Sequence, residues 1–244
     1  MKTTIIYESR GKAREYCELA ANLYRGCSHC CSYCYAPATI REKREEFCKP
    51  RVRKDVLNKF EKDAFELERI GEKRTVLLSF TTDPYQPLDI KEGITRKAIQ
   101  ILHNHGLKVS ILTKGGKRSE RDFDLLSKKP ELSEYGTTLV FTDENFRKEI
   151  EKGAATTEER INAIRKAHDL GIFTYVSLEP VWIPAQTLEL IDLTKDFIDF
   201  YKIGKLNYDP QQKKVDWSEF KQELVKKLDN YGKNYYIKKS LQIY

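Results

Sequence analysis

The chain has 244 residues, 40% of them hydrophobic, and its 44 Lys and Arg against 37 Asp and Glu give a formal net charge of +7. That apolar fraction supports a buried core and excludes a disordered chain, and no apolar run approaches the roughly 18 residues that mark a membrane-spanning helix. The mildly basic, interspersed charge admits a polyanionic partner without requiring one.

The opening stretch Met1 to Tyr7 lacks the apolar core of a secretory signal, so the expected compartment is the cytoplasm and the expected thiol state is reduced. Residues 1–15 are polar, with Gly11-Lys12 marking a loop, and read as an N-terminal extension. A first strand is expected over 16–24, and a cysteine-rich loop follows it directly. Residues 41–54 are charged and broken by Pro50, the pattern of a loop or short helix. Val56, Phe60, Asp63, Ala64, Leu67 and Ile70 recur on one helical face, with Gly71 as the stop. Residues 75–80 form a short apolar run, as in a strand buried on both faces, with 81–87 as its loop. Ile94, Ala98, Ile99 and Leu102 stripe the next helix up to Gly106. Strand three is expected over 107–113, then a turn at Lys114-Gly115-Gly116 and a short helix over 121–126. Strand four is expected over 137–142. A capped helix begins at Thr156 or Thr157, carries Ile161, Ile164 and His168, and stops at Gly171. Strand five spans 172–178 and runs into Glu179-Pro180. Leu188, Ile191, Phe197 and Ile198 mark a helix, strand six spans 200–206, and Trp217, Phe220, Leu224, Leu228 and Tyr231 stripe the last helix. Residues 233–244 are left as a tail. Six strand-then-helix units over 16–232 predict an α/β sheet, either open and doubly wound or curled toward a barrel. In both forms ligands gather at the carboxyl ends of the strands, where the cysteine loop sits.

That loop reads Cys27-Ser28-His29-Cys30-Cys31-Ser32-Tyr33-Cys34. Cys27, Cys31 and Cys34 make C-x3-C-x2-C, with an aromatic residue before the last cysteine. Three thiolates so close together suit three irons of a cubane iron–sulfur cluster, whereas a cluster held by protein alone needs a fourth. The missing ligand leaves one iron for a small chelating molecule. The stretch also contains two C-x2-C pairs, Cys27/Cys30 and Cys31/Cys34, which opens a zinc reading. Structural zinc usually crosslinks pairs from separated turns, which favours the cluster. On the cluster reading Cys30 is a bystander, and Cys17 and Cys48 are reduced thiols, with Cys48 as an alternative fourth ligand.

C-x3-C-x-aromatic-C resembles the signature of the radical S-adenosylmethionine (SAM) enzymes. Asn22-Leu23-Tyr24-Arg25-Gly26-Cys27, Cys34-Tyr35-Ala36 and Thr81-Thr82-Asp83-Pro84-Tyr85-Gln86-Pro87 resemble the spore photoproduct lyase-like, or DNA repair photolyase, branch. The resemblance covers residues 19–207. It implies a partial (β/α)6 barrel of the radical SAM core type and a [4Fe–4S] cluster on Cys27, Cys31 and Cys34. It further implies SAM chelating the open iron, reductive cleavage of SAM to a 5′-deoxyadenosyl radical, and an external one-electron reductant such as flavodoxin or ferredoxin. By resemblance Tyr33 lies against the SAM adenine, with plain core packing as the alternative. Thr82 and Asp83 lie where the SAM amino end is bound, with turn chemistry before Pro84 as the alternative. Lys114 contacts the SAM carboxylate, or else is a solvated loop lysine. Thr142-Asp143 and Glu179-Pro180 end strands four and five and are placed to reach the SAM ribose or the substrate. Arg121-Asp122 reads as a helix-start ion pair and His29 as a polar loop residue. His103 and His105 sit at a helix end, where positive charge suits the dipole.

One position departs from the branch. A spore photoproduct lyase carries a cysteine at the end of strand two that returns a hydrogen atom to the repaired thymine, and this chain has Phe80 there, with no abstractable S–H. The expectation is therefore a radical SAM enzyme, lyase-like or transferase, acting on a nucleic acid or nucleotide by family analogy, and not spore photoproduct repair itself. The alternative is a zinc-knuckle nucleic-acid-binding protein. Arg41, Arg44, Arg51, Arg53, Lys54, Lys238 and Lys239 are candidate phosphate contacts.

Overall fold

The apolar runs assemble one eight-stranded sheet in this computed structural model, which describes residues 5–207 and 209–244. The first four residues of the expected extension lie outside the described residues. β1 (Ile6–Glu8) is the edge, and a 3-10 turn over Gly11–Glu15 leads to β2 (Leu19–Ala21). β3 (Tyr24–Arg25) leaves the sheet; the cysteine loop, α1 (Ala36–Thr39) and α2 (Arg44–Phe47) follow before β4 (Arg51–Val52) returns to pair with it. Next come α3 (Val56–Arg69), β5 (Val76–Leu78), α4 (Pro87–Glu92), α5 (Ile94–Asn104) and β6 (Val109–Thr113). α6 (Phe123–Leu126), β7 (Ser133–Thr138), α7 (Glu144–Ile150), α8 (Thr157–Asp169) and β8 (Phe173–Val181) continue the alternation. α9 (Pro184–Thr194), β9 (Phe200–Lys205), α10 (Trp217–Asn230), β10 (Asn234–Ile237) and α11 (Lys239–Gln242) complete it. The strand order is β1-β2-β5-β6-β7-β8-β9-β10, and every neighbouring pair except β1/β2 is parallel. This is the expected partial (β/α)6 barrel, widened by one strand at each edge.

Those two edge strands come from the stretches read as an extension (1–15) and a tail (233–244). Both are short, and neither forms a helix stripe or a long apolar run. Asp63 explains how the first is held. It sits on the buried face of α3, and its carboxylate accepts from the backbone N–H of Ile5 (2.6 Å) and Ile6 (2.9 Å). The rest of that face is apolar as expected, with Val56, Phe60, Ala64 and Leu67 buried. Burying a side chain of the Val, Leu or Phe class contributes about 1.5–3 kcal/mol. At the opposite edge, the Tyr236 hydroxyl (3.1 Å) and the Lys239 backbone N–H (2.8 Å) donate to the Glu15 carboxylate, and Lys202 Nζ donates to the Tyr16 carbonyl (2.6 Å). The segment before β2 therefore reaches across the open side of the barrel to its last strand.

Strand four lies earlier than expected, at Ser133–Thr138 instead of 137–142. The apolar Leu139-Val140-Phe141 run is beyond its end, and Val140 and Phe141 pack with Trp182 and Leu206 in a separate small core. Gly136 sits in this strand because the Tyr175 ring crosses it: a Cβ there would come within 2.3 Å of that ring. α8 starts with the expected capping box, Thr156 with Glu159.

Candidate active site

The cysteine loop is held on every side. The Cys27 N–H donates to the Phe47 carbonyl (2.8 Å), and the Arg44 guanidinium donates to the carbonyls of Cys31 (2.8 Å) and Cys34 (3.0 Å). The Ser28 N–H donates to Gln86 Oε1 (3.1 Å). From the α7–α8 connection, the Ile150 carbonyl accepts from Ser32 N–H (2.8 Å) and the Gly153 N–H donates to the His29 carbonyl (3.0 Å). Only glycine fits at 153, because a Cβ would lie 2.2 Å from the Ser28 carbonyl oxygen.

Cys27, Cys31 and Cys34 are unpaired, as is Cys17, whereas Cys30 and Cys48 form a disulfide with Cα atoms 5.4 Å apart. This corrects the expectation of reduced thiols at both positions. Cys30 takes a left-handed backbone (φ 49°) and turns to the C-terminal cap of α2. The pairing also removes one of the four thiolates a zinc knuckle requires, and it removes Cys48 as a fourth cluster ligand. Among the described residues no group of three His, Cys, Asp or Glu side chains converges on a single metal ion. A cubane makes a different demand, since each thiolate binds its own iron, and three unpaired cysteines on one loop meet it. The hydroxyls of Ser28, on the cysteine loop, and of Ser79 and Thr82, in the segment after β5, are buried without a protein partner, which leaves polar capacity for a bound group. Burial pushes the Cys27 thiol well up, and the nearby Asp83 carboxylate adds to this. Burial likewise pushes Cys31 up to about 12, against the opposing pull of Lys114.

Asp83 organises the loop after β5. Its carboxylate accepts from the Thr113 hydroxyl (2.6 Å), the Lys114 N–H (2.7 Å) and the Tyr85 N–H (2.8 Å), and lies 3.3 Å from His29 Nδ1. A carboxylate has about four lone-pair positions, and these are occupied from within. Arg118, which can only donate, lies 3.0 Å from His29 Nε2, so the ring proton faces Asp83. Burial alone would raise the Asp83 carboxyl, but His29, Thr113 and the Lys114 N–H outweigh it and hold the group well below the ordinary range. His29, read as a polar loop residue, is thus a buried link between the cysteine loop, Asp83 and Arg118.

Tyr33 is half-buried, 6.0 Å from the Trp182 ring, and its hydroxyl donates to Glu151 Oε1. Glu151 is fully buried and ion-paired with the equally buried Arg160 at 2.6 Å. Arg160 also donates to the carbonyls of Ala155 (2.9 Å) and Thr138 (3.0 Å). The Lys114 ammonium stands 5.7 Å from the centre of the Tyr33 ring. Burial pulls Lys114 down, but Cys31 and Glu151 push it up further, so it stays charged. Sequence reading missed Glu151 and Arg160; the only signal available was an arginine at the apolar spacing of α8, one turn before Ile164.

The remaining expected residues scatter. Glu179 accepts from the Tyr16 hydroxyl (2.7 Å) and from Lys238 (3.0 and 3.1 Å), with Ser177 Oγ 2.5 Å from the same Tyr16 oxygen. Lys238 is buried against it and so is not an exposed phosphate contact. Thr142 bonds to α9 through Gln186 (2.8 Å) and Glu189 (2.6 Å), while Asp143 caps α7. Arg44, Arg51 and Arg53 have internal partners, and Arg41, Lys54 and Lys239 are exposed. Arg121 pairs with Asp89 as well as Asp122. His103, expected to be positive at a helix end, is buried and pushed down to about 4, by burial first and then by Lys129. Phe80 packs edge-on against Tyr16 with ring centres 5.9 Å apart. A cavity of about 220 Å³, lined by Lys108, Leu132, Ser133 and Phe173 at the amino ends of the strands, shares no residue with this site.

Residues 21–198 match the Radical SAM superfamily. An uncharacterized protein of Methanocaldococcus jannaschii is 29% identical over 222 residues, covering 88% of this chain and 77% of that protein. An uncharacterized protein of Mycobacterium tuberculosis is 31% identical over 167 residues, which are 66% of this chain and 48% of that protein. A spore photoproduct lyase variant with bound SAM and dinucleoside spore photoproduct is 14% identical, with a TM-score of 0.73 over 94% of this chain and 78% of that one. Streptococcus suis SuiB bound to SAM is 12% identical, with a TM-score of 0.66 over 89% of this chain and 49% of that one. At these identities the two structures are alike in fold.

Proposed function

The chain belongs to the Radical SAM superfamily, and from that premise we propose a radical SAM enzyme whose Cys27, Cys31 and Cys34 hold a [4Fe–4S] cluster with one iron left for SAM. The observation that carries this is the count of thiols. Four cysteines lie within eight residues, yet Cys30 is taken by Cys48, and the other three stay unpaired. When bound, the reduced cluster supplies the electron that cleaves SAM to methionine and a 5′-deoxyadenosyl radical.

The chain's own residues bind and shelter. Tyr33 offers a ring face to the adenine. The charged Lys114 pairs with the SAM carboxylate, and the partnerless Thr82 hydroxyl serves the amino end. Asp83, saturated from within, acts through its neighbours by fixing the Lys114 backbone and His29. Glu179, with Tyr16 and Lys238 around it, and Thr142 flank the side on which ribose or substrate is received. The lyase variant and SuiB both hold SAM, and the lyase variant also holds a dinucleoside photoproduct. That ligand and the sequence resemblance support a nucleic acid or nucleotide substrate here. Phe80 in place of a thiol argues against spore photoproduct repair itself.

The test is anaerobic reconstitution with iron and sulfide, then dithionite and SAM, with 5′-deoxyadenosine as the product sought. A fully loaded protein that makes none refutes the reading.

A further inference from the structure

A fully buried ion pair lies directly behind this site, and nothing in the proposed chemistry uses it. Glu151 and Arg160 have no exposed side-chain surface. Stability alone does not account for them, since replacing a buried ion pair by apolar residues of similar volume is often neutral or stabilising. What an apolar pair cannot do is visible in how the two carboxylate oxygens are divided. Oε2 takes Arg160 and Oε1 takes the Tyr33 hydroxyl. The same segment receives the cysteine loop through Ile150 and Gly153, and the Ala155 N–H donates to the Lys114 carbonyl (2.9 Å). Arg160 ties it to the end of β7 at Thr138. One short connection, residues 150–155, therefore touches the thiol loop, the ring expected against adenine and the lysine expected on the carboxylate.

We propose that Glu151 is a positioning residue for SAM: clamped by Arg160, it fixes through the phenolic hydroxyl the Tyr33 ring over which the Lys114 ammonium stands. This rests on the reading of the site as a SAM site. It assigns a role to a residue outside the cysteine motif and the strand-end positions.

The experiment is a double-mutant cycle in SAM affinity, measured by equilibrium dialysis of labelled SAM on cluster-loaded protein with iron content checked for each variant. Y33F removes only the hydroxyl. E151Q leaves one acceptor oxygen for Arg160 and turns an NH2 to Tyr33, so the phenolic hydroxyl loses its charged acceptor. Each is expected to raise the Kd for SAM about tenfold, the loss of one hydrogen bond to a charged group. Y33F/E151Q is expected to be within about threefold of E151Q, because the hydroxyl keeps at most a neutral contact with the amide and no charged acceptor. If E151Q does not fold, E151L/R160M, which removes both charges and the acceptor, replaces it in the cycle with the same expectation. Affinities within twofold of wild type, or single-variant effects that multiply in the double variant, overturn the proposal while leaving the SAM reading intact. A loaded wild type that binds no SAM overturns both.

Discussion

Replacing Asp83 by asparagine keeps the shape of the side chain and removes its charge and one acceptor oxygen. In the wild type, Oδ1 accepts from the Thr113 hydroxyl and Tyr85 N–H, and Oδ2 from the Lys114 N–H with His29 Nδ1 alongside. Whichever way the amide is turned, its NH2 faces a backbone N–H, of Tyr85 or of Lys114, that then has no partner. A lost hydrogen bond to a charged group together with a stranded buried donor costs about 3 kcal/mol. For a chain of this size that is a fall in Tm of roughly 6–12 °C at pH 7. The pH dependence supplies a second check. The folded carboxyl lies below its ordinary pKa of about 3.9, so its stabilisation is complete above that value and is lost as pH falls toward the folded one. The gap in Tm between wild type and D83N should therefore be constant from pH 7 to 5 and close below pH 4. Thermal melts followed by tryptophan fluorescence measure both. A D83N protein melting within about 2 °C of wild type at pH 7, or a gap that persists unchanged into acid, would refute the assignment of Asp83 as the internally saturated carboxylate.

Other outcomes follow from single contacts. Alanine at Gly153 places its Cβ 2.2 Å from the Ser28 oxygen and 2.9 Å from His29 Cα, both backbone atoms, so the strap must lift off the cysteine loop. G153A should lose about 1–3 kcal/mol by chemical denaturation and retain less iron after reconstitution. Alanine at Cys27, Cys31 or Cys34 should abolish the visible absorption of the reconstituted protein, whereas C17A and the C30S/C48S pair should keep it; iron and sulfide assays decide. His103 is held at about 4 when folded and returns to about 6.5 when unfolded, so it contributes stability above 6.5 that is lost as pH falls toward 4. H103N should flatten the pH dependence of unfolding free energy in that window, as read from urea titrations.

The sequence displays its barrel well because parallel strands buried on both faces leave continuous apolar runs, and residues 75–80 and 107–113 are of that kind. Strand four hides because its register is set by Gly136 making room for Tyr175, a contact between residues 39 apart with no local trace. The edge strands hide for a similar reason: Asp63 and Glu15, ordinary acidic residues in the sequence, hold them through distant backbone N–H groups. At the site, cysteine spacing is legible because the thiols share one loop. The groups behind them are not, because Glu151, held by Arg160, and Arg118 reach the loop from other elements, and a buried arginine on a helix face looks like an exposed one. The disulfide was equally invisible. Cys30 and Cys48 are separated by 18 positions, and nothing in the spacing shows that α2 folds back over the loop.

The Glu15 contacts with Tyr236 and Lys239 carry a practical consequence. They make the segment before β2 and the last strand into a seam along the slot of an otherwise unclosed barrel, and the seam is stitched by individual polar contacts, not by a continuous ladder. Such a joint parts locally at far less cost than the sheet it borders. Loss of the Glu15 carboxylate would loosen that joint and leave the ladders of the sheet in place.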